Sequence, residues 1–432
     1  MTRIIFTCFV LISWALPALS APYCTALTSP DTVPKAHIKR APFLSDTVSG
    51  WILGQDQLKN AFEVTDEVRL LWQAISHEFA ERGADLVVLS APPRPLFVPE
   101  EDLRRMGHDL GHIRDTLGAA YTNYISGLNA EGIPAPDLSS LARSDARGEY
   151  YFLRDTHWTP RGAAASVAAL HAAATDEDTP QGPEFLRHFE EPGSLSKVVA
   201  EICGTHPAPE RVSAPDYHTR GGADALFGDA EGRTRIALVG TSFSNRYQHD
   251  AYQVGDAIAH YFDADVSNYA LAGGGPTGAM IAFIESGALD AGAYGHVIWE
   301  SPYTVPLVDT DSLRHVLGAL TAHRVQDAVP GQTAPVSDVW TSVPLAFDAA
   351  EFVSLSVQTP GTTAGRLVVE MIADDGERHR IRLFKSDRLP PDLRTETWTL
   401  ALDGLSSARI ARVKLRLMGV DTPQPASVHM LR

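Results

Sequence analysis

Short apolar runs alternate with stretches long enough to be helices from residue 64 to residue 295, and this alternation constrains the chain more than anything else in it. Asp85-Leu-Val-Val-Leu-Ser90 and the runs 236–239, 266–269 and 296–299 are too short for buried helices and rich in branched residues, as buried parallel strands are. A further short strand is expected over 133–138. Helices are expected over 66–82, 108–130, 163–174, 251–262 and 279–286. Strand–helix alternation of this kind gives an α/β fold, a three-layer α/β/α domain on a parallel sheet. The Pro- and Gly-rich stretch 179–229 interrupts the pattern and reads as loop.

Within that frame the strand 236–239 is followed by Gly240, Thr241 and Ser242, with a polar, helical segment starting near Ser244. A serine at a strand-to-helix turn sits at the carboxyl edge of the sheet, where open α/β folds place ligands. Its hydroxyl projects outward, and its amide, near a helix N-terminus, can meet negative charge. The simpler reading is a structural turn whose serine caps the next helix, so partners have to be sought elsewhere. Asp155 and His157 supply them: two residues apart, they share a face in extended or loop geometry. A carboxylate there accepts the imidazole Nδ1 proton and leaves Nε2 free to take one from a serine. Metal ligation by Asp155 and His157 is the alternative, but no third ligand at recognisable spacing and no HExxH pattern accompanies them, so no metal and no cofactor is expected. Thr159 and Pro160 fit the N-cap and first position of the helix that follows.

Taken together, Asp155-Thr-His-Trp-Thr-Pro-x-Gly-Ala163 and Val239-Gly-Thr-Ser242 resemble the SGNH-hydrolase-like domain of the alginate O-acetyltransferase family, the AlgX and AlgJ proteins. Gly50-Trp-Ile-Leu53, Ala91-Pro-Pro-Arg94, Pro136-Asp-Leu138, Asn268-Tyr-Ala-Leu-Ala-Gly-Gly-Gly275 and Trp299-Glu-Ser-Pro302 follow the family's order, so that the likeness covers about residues 45–305. It implies Ser242 as nucleophile, His157 as base and Asp155 as orienting carboxylate. The Asp-x-His precedes the Ser, a permuted triad order that the family shares. An oxyanion hole is expected from the Ser242 amide and the glycine turn at Gly274, which matches the family's glycine block and is otherwise a permissive turn. Asn245 and Tyr247 are expected to line the site. Arg94 and Arg246, with Arg154 and Arg161 near them, are expected to offset repulsion of an acidic polymer, although Arg154 can equally pair with a neighbouring carboxylate.

Beyond about residue 330 the pattern changes to period-two runs separated by turn residues, the mark of an antiparallel β-sandwich. The larger, AlgX-like members carry a carbohydrate-binding-module-like domain in this place. Trp340 and Trp398 are either stacking platforms for sugar or core, and Arg380, Arg382, Arg412, Lys414 and Arg416 either meet uronate carboxylates or form solvated strand faces. Charge divides accordingly: of a net -17, the part from Trp340 onward holds 12 Lys and Arg against 11 Asp and Glu, and the acid lies upstream. So acidic a chain argues against nucleic acid as a partner.

The first 20 residues have Arg3, an apolar run from Ile4 to Leu16 and Ala18-Leu-Ser20 before Ala21, the form of a cleaved secretory signal peptide, with an uncleaved anchor as the alternative. The expected organisation is signal peptide 1–20, α/β acetyltransferase domain 21–330 and β-sandwich domain 331–432. Cys24 and Cys203 are the cysteines left after export, and an even pair in an exported chain reads as a disulfide, a free catalytic thiol being the lesser alternative. The residues by themselves imply a serine acyl-enzyme. The resemblance implies acetyl transfer in the periplasm to an acidic polysaccharide such as alginate, an acetyl donor delivered by a membrane O-acyltransferase, and export-complex proteins as partners. An acetylesterase and a non-catalytic polysaccharide-binding scaffold are the alternatives.

Overall fold

The structure, a computed structural model, describes residues 22–106, 110–145, 148–217, 234–246, 254–324, 328–329, 331–362, 364–405 and 409–432. The expected signal peptide and Tyr247 lie outside these residues. Among the described residues no helix is long and apolar enough to cross a membrane.

The chain enters through a small antiparallel pair, β1 (Phe43–Ser45) and β2 (Ile52–Gly54), and then α1 (Asp66–Ala80), capped by the Thr65 hydroxyl. β3 (Asp85–Ser90), α2 (Leu110–Ala130) and α3 (Pro160–Ala174) follow. The α3 cap is the expected one: the Thr159 hydroxyl accepts from the Gly162 amide at 3.1 Å and Pro160 opens the helix. Residues 133–138 do not form a strand. They run beside β3 with one bond, from the Val88 amide to the Pro134 carbonyl, and the Asn129 side chain takes up both the amide and the carbonyl of Ala135.

The stretch expected to be loop holds β4 (Glu184–Glu191), α4 (Ser194–Cys203) and β5 (Glu210–Asp216), with β4 and β5 paired antiparallel. α4 buries Leu195, Val198 and Val199 against Leu27, Val33, Phe43 and Ile52 of the amino-terminal segment. Its last residue, Cys203, is disulfide-bonded to Cys24 across a sequence separation of 179. β6 (Arg235–Val239), α5 (Val254–Phe262), β7 (Asp265–Asn268), α6 (Pro276–Glu285), β8 (His296–Ser301) and α7 (Thr310–Arg324) complete this half.

The central sheet has four parallel strands in the order β3-β8-β6-β7. β3, β8 and β6 are buried on both faces because helices cover both, α1, α6 and α7 packing together as one group and α3 with α5 as the other, while the edge strand β7 is polar and only partly buried. The carboxyl ends of β6 and β8, side by side in register, carry Gly240–Ser242 and Glu300.

After α7 come β9 (Thr333–Val336), β10 (Thr341–Val343), β11 (Ser354–Gln358), β12 (Arg366–Ala373), β13 (Arg378–Phe384), β14 (Thr397–Ala401), β15 (Arg409–Met418) and β16 (Gln424–Leu431). They form two antiparallel sheets, β9-β16-β11-β14 and β10-β15-β12-β13, each completed by a two-residue strand. Alternate residues of both sheets, among them Leu367, Val369, Met371, Val413, Leu415 and Val428, share one apolar core.

The β-rich region is packed firmly onto the α/β part. Arg314 of α7 is buried between Glu67 of α1 and the carbonyls of Ala401 and Asp403. Trp398 of β14 is fully buried there: His315 stacks on it at 6.2 Å, the Lys385 ammonium lies 4.7 Å over its ring, and its Nε1 donates to the Thr359 hydroxyl at 3.1 Å. A ring so enclosed offers no face to a sugar, and Trp398 is core at the junction rather than a stacking platform.

Candidate active site

Residues 150–159 fold back on themselves as a narrow loop with Arg154 and Asp155 near its tip. The Tyr150 carbonyl accepts from the Thr159 amide at 2.9 Å, and the His157 carbonyl from the Phe152 amide at 3.3 Å. Trp158 fixes this loop to the serine turn, its Nε1 donating to the Phe243 carbonyl at 3.0 Å. Two segments 85 residues apart in sequence thereby meet. His157 Nε2 lies 2.8 Å from the Ser242 hydroxyl, and His157 Nδ1 lies 2.5 Å from Asp155 Oδ1.

Asp155 is fully buried and meets donors on both oxygens. Oδ1 also accepts from the His157 amide at 3.0 Å; Oδ2 accepts from the Ser194 amide at 2.6 Å and from Arg246 Nη2 at 2.8 Å. Burial opposes its charge, but His157, Arg246 and the Ser194 amide together hold its carboxyl well below the usual carboxylate range. The Ser194 amide is the first of α4, where the helix dipole favours a negative charge. The segment expected to be loop is therefore a buttress: α4 supplies an amide to Asp155, Glu191 of β4 pairs with Arg246 at 3.2 Å, and Glu210 of β5 accepts the Leu153 and Arg154 amides at 2.8 Å each.

The turn over 241–245 is equally well tied. The Ser244 and Asn245 amides donate to the Thr241 carbonyl, the Phe243 amide to the Thr241 hydroxyl, and the Thr241 amide to the buried Glu300 carboxylate at 2.6 Å. Of the amides in this turn, that of Ser242 alone has no partner among the described residues. A hydroxyl facing an imidazole and an open amide on the same residue are the two elements a serine acyl transfer needs.

Several expected ligand contacts turn out to be internal. Arg94 is fully buried beside Trp51, donating to the carbonyls of Ile52, Phe152 and Leu153 and to Gln57 Oε1; it supports the 150–159 loop from below and reaches no ligand. Arg246 is buried against Asp155 and Glu191, so it orients the relay rather than a substrate. Arg161 pairs with Glu149 at 2.7 Å and Arg154 with Glu210 at 3.8 Å. Asn245 points its amide at the Ala270 carbonyl, 2.9 Å away, which fastens the serine turn to the loop after β7.

The Gly274 amide donates to the Leu271 carbonyl at 3.0 Å and so is not an oxyanion donor. The glycines there answer a different need. Gly273 has φ +80°, which a turn closing on Leu271 requires at that position, and a Cβ on it would come within 2.5 Å of the Arg388 side chain. Leu389 packs on Gly274, and the Ser386 hydroxyl donates to the Gly273 carbonyl at 2.9 Å. The β-rich region thus braces the loop that Asn245 joins to the serine turn.

Glu191 and Glu210 left no mark in the sequence analysis, and Trp158 and Glu300 stand in the stretches that carry the resemblance without a role of their own there. Glu300 did leave a signal: it is a lone acid ending the apolar run His296-Val-Ile-Trp299 next to the serine-bearing strand. Among the described residues no group of three or more His, Cys, Asp or Glu side chains converges as a metal cage.

The family model for the SGNH hydrolase-like domain of acetyltransferase AlgX matches residues 49–303, which takes in every element of this site. The AlgX alginate biosynthesis protein of Pseudomonas putida is 31% identical over 280 residues, an alignment covering 62% of this chain and 57% of that protein. A probable alginate O-acetylase, AlgJ of Pseudomonas aeruginosa, is 27% identical over 277 residues, covering 59% of this chain and 68% of that one. The match to the AlgX relative spans little more than half of that protein's length. The solved structure of Pseudomonas aeruginosa AlgX superposes with a TM-score of 0.71 at 20% identity over 95% of this chain and 99% of that one, so the shared fold includes the β-rich region.

Proposed function

The chain belongs to the SGNH hydrolase-like, AlgX-type acetyltransferase family, and from that premise we propose that it is a periplasmic polysaccharide O-acetyltransferase working through an acetyl-serine. The observation that carries this reading is the line Asp155–His157–Ser242 with both hydrogen bonds formed. Asp155 accepts a hydrogen bond from the His157 Nδ1–H and fixes the proton there, so Nε2 is the basic nitrogen facing Ser242. Ser242 Oγ attacks the acetyl carbonyl while its proton passes to His157 Nε2. The Ser242 amide meets the developing oxyanion. Collapse of the intermediate expels the donor's leaving group, which takes the proton from His157. A sugar hydroxyl then gives its proton to the same nitrogen and attacks the acetyl-serine. The second intermediate releases Ser242, reprotonated by His157, and the sugar leaves as its acetate ester.

The acceptor under this reading is a uronate polymer such as alginate, because the named relatives are alginate biosynthesis proteins. The donor is an acetyl group delivered by a membrane O-acyltransferase, with export-complex proteins as neighbours. The Cys24–Cys203 disulfide fits an oxidising compartment. Ser242→Ala tests the nucleophile. With p-nitrophenyl acetate as donor and mannuronate oligomers as acceptors, the wild type gains an acetyl group on the protein and passes it to the sugar, both seen by mass spectrometry. The variant does neither while keeping its thermal transition. Release of acetate without any acetylated sugar makes the protein an esterase, and turnover by the variant moves the nucleophile elsewhere.

A further inference from the structure

Glu300 is buried completely at the end of β8, directly behind the serine turn. Its Oε2 accepts from the Thr241 amide at 2.6 Å, and the Thr241 hydroxyl lies 3.0 and 3.1 Å from its two oxygens. The approach is so close that a Cβ on Gly240 would stand 2.5 Å from Oε2, so only glycine fits ahead of Thr241. What surrounds this carboxylate is neutral: Thr241, Ser244 and Gly240 from the turn, and Leu89 beside it in register on β3. No cation pairs with it among the described residues. A buried carboxylate without a counter-ion is costly to keep, and in a fold of this economy it needs a use.

We propose that Glu300 is a positioning residue whose carboxylate form holds the Ser242 turn in its working geometry, so that acyl transfer requires Glu300 to be ionised as well as His157 to be unprotonated. The inference rests on the acyl-transfer reading of Ser242. Thr241 is the hub of the turn: its amide and hydroxyl are held by Glu300, its carbonyl receives the Ser244 and Asn245 amides, and its hydroxyl receives the Phe243 amide. Every amide near the nucleophile is thereby drawn inward except that of Ser242. A proton on Glu300 removes the charge behind the Thr241 bonds and turns one oxygen from acceptor to donor, which the Thr241 hydroxyl can meet only by reversing its own bond, so the hold on the turn weakens and Ser242 loses its fixed place. Burial pushes the Glu300 carboxyl up to about 7, against the pull of Thr241 and Ser244, which brings the change into the range where such an enzyme works.

The test is the pH dependence of kcat/KM for a small neutral acetyl ester, which reports ionisations of the free enzyme. In the wild type the acid limb of the logarithmic plot steepens toward a slope of two, one proton on His157 and one on Glu300. Glu300→Gln lowers the plateau about ten- to a hundredfold, the loss of a charge-assisted bond to the turn, and its acid limb has a slope of one. A wild-type slope of one, or an E300Q limb as steep as the wild type's, overturns the proposal. Should E300Q not fold, Thr241 supplies the second arm. Thr241→Val removes one donor to the carboxylate and shifts the Glu300 step of the limb to higher pH, by about half a pH unit or more; Thr241→Ser, which keeps the hydroxyl, leaves the limb in place. Coincident limbs for T241V and wild type also overturn it. Ser242→Ala, run alongside, separates the two failures: if it retains activity the acyl-serine reading falls, and if it is dead while slopes and limbs ignore Glu300 and Thr241, only the positioning role falls.

Discussion

Replacing Asp155 by asparagine puts the proton relay under the most specific strain. All four groups that touch its oxygens are N–H donors: the His157 ring and amide on one side, the Ser194 amide and Arg246 on the other. An asparagine has one acceptor oxygen and one donor NH2, so either rotamer sets donors against donors. If the NH2 faces His157, the ring must present Nδ1 as acceptor and carry its proton on Nε2, and it can no longer deprotonate Ser242. If it faces Arg246, the relay survives but a buried guanidinium loses one of its carboxylate partners, while Glu191 at 3.2 Å stays. The first arrangement costs turnover by about 10³–10⁴, or about 4–5 kcal/mol in the barrier. The second costs stability, toward the lower end of the ~3–5 kcal/mol typical of breaking a buried pair, because Glu191 remains. Burst kinetics with p-nitrophenyl acetate and urea denaturation read the two quantities on one preparation. Asp155→Asn within tenfold of the wild type in acylation rate and within 1 kcal/mol in stability refutes the role assigned to this carboxylate.

Trp398→Ala is expected to destabilise the protein by about 3–5 kcal/mol in urea titration, as for any large core ring, while the folded fraction binds acidic oligosaccharides as before; a selective loss of sugar affinity would return Trp398 to the surface. Cys24→Ser with Cys203→Ser opens a loop of 179 residues, for which the chain-entropy model gives about 5 kcal/mol, and it loosens the helix that donates to Asp155, so both the denaturation midpoint and the acylation rate should fall. The stability advantage of Glu300→Gln over the wild type should grow with pH. The folded-state pKa of Glu300 is raised from 4.5 to about 7, so its favourable contribution is complete below pH 4.5 and is lost as pH rises through 7. The variant is then the more stable protein above pH 7, by up to about 3 kcal/mol, and the gap closes by pH 4–5. A gap of opposite sign, or none between pH 5 and 8, contradicts the burial of an ionisable Glu300.

The parallel strands were legible because each is a short apolar run between helices, and 85–90, 236–239 and 296–299 fall within the observed strands. The meeting of Ser242 with His157 was legible from local chemistry, a serine after a strand and a carboxylate two residues before a histidine, joined to the family resemblance that the two stretches carry. What could not be read was the destination of charge. Arg94, Arg154, Arg161 and Arg246 look alike in sequence, yet each is consumed by a carbonyl or carboxylate that comes close only in three dimensions. Residues 184–216 misled through their prolines and glycines, which sit between the elements rather than inside most of them. Trp398 and Gly274 show the same limit from the packing side: an alternating strand does not say which face is buried, and a glycine turn does not say whether it admits a substrate or a neighbouring loop.

The brace on Gly273 changes what a shortened protein can tell an experimenter. With Ser386, Arg388 and Leu389 resting on the turn beside the serine, and Lys385 and Thr395 bonded to Glu285 of α6, residues past 330 are part of the scaffold of the acyl-transfer half. Cutting the chain there exposes α7 along the line where Trp398 lay and frees the 270–275 loop, so a drop in ester turnover after truncation would report lost support, not lost polymer capture. A clean dissection has to remove surface side chains one by one, and any chimera has to bring segment 385–395 along with the catalytic part.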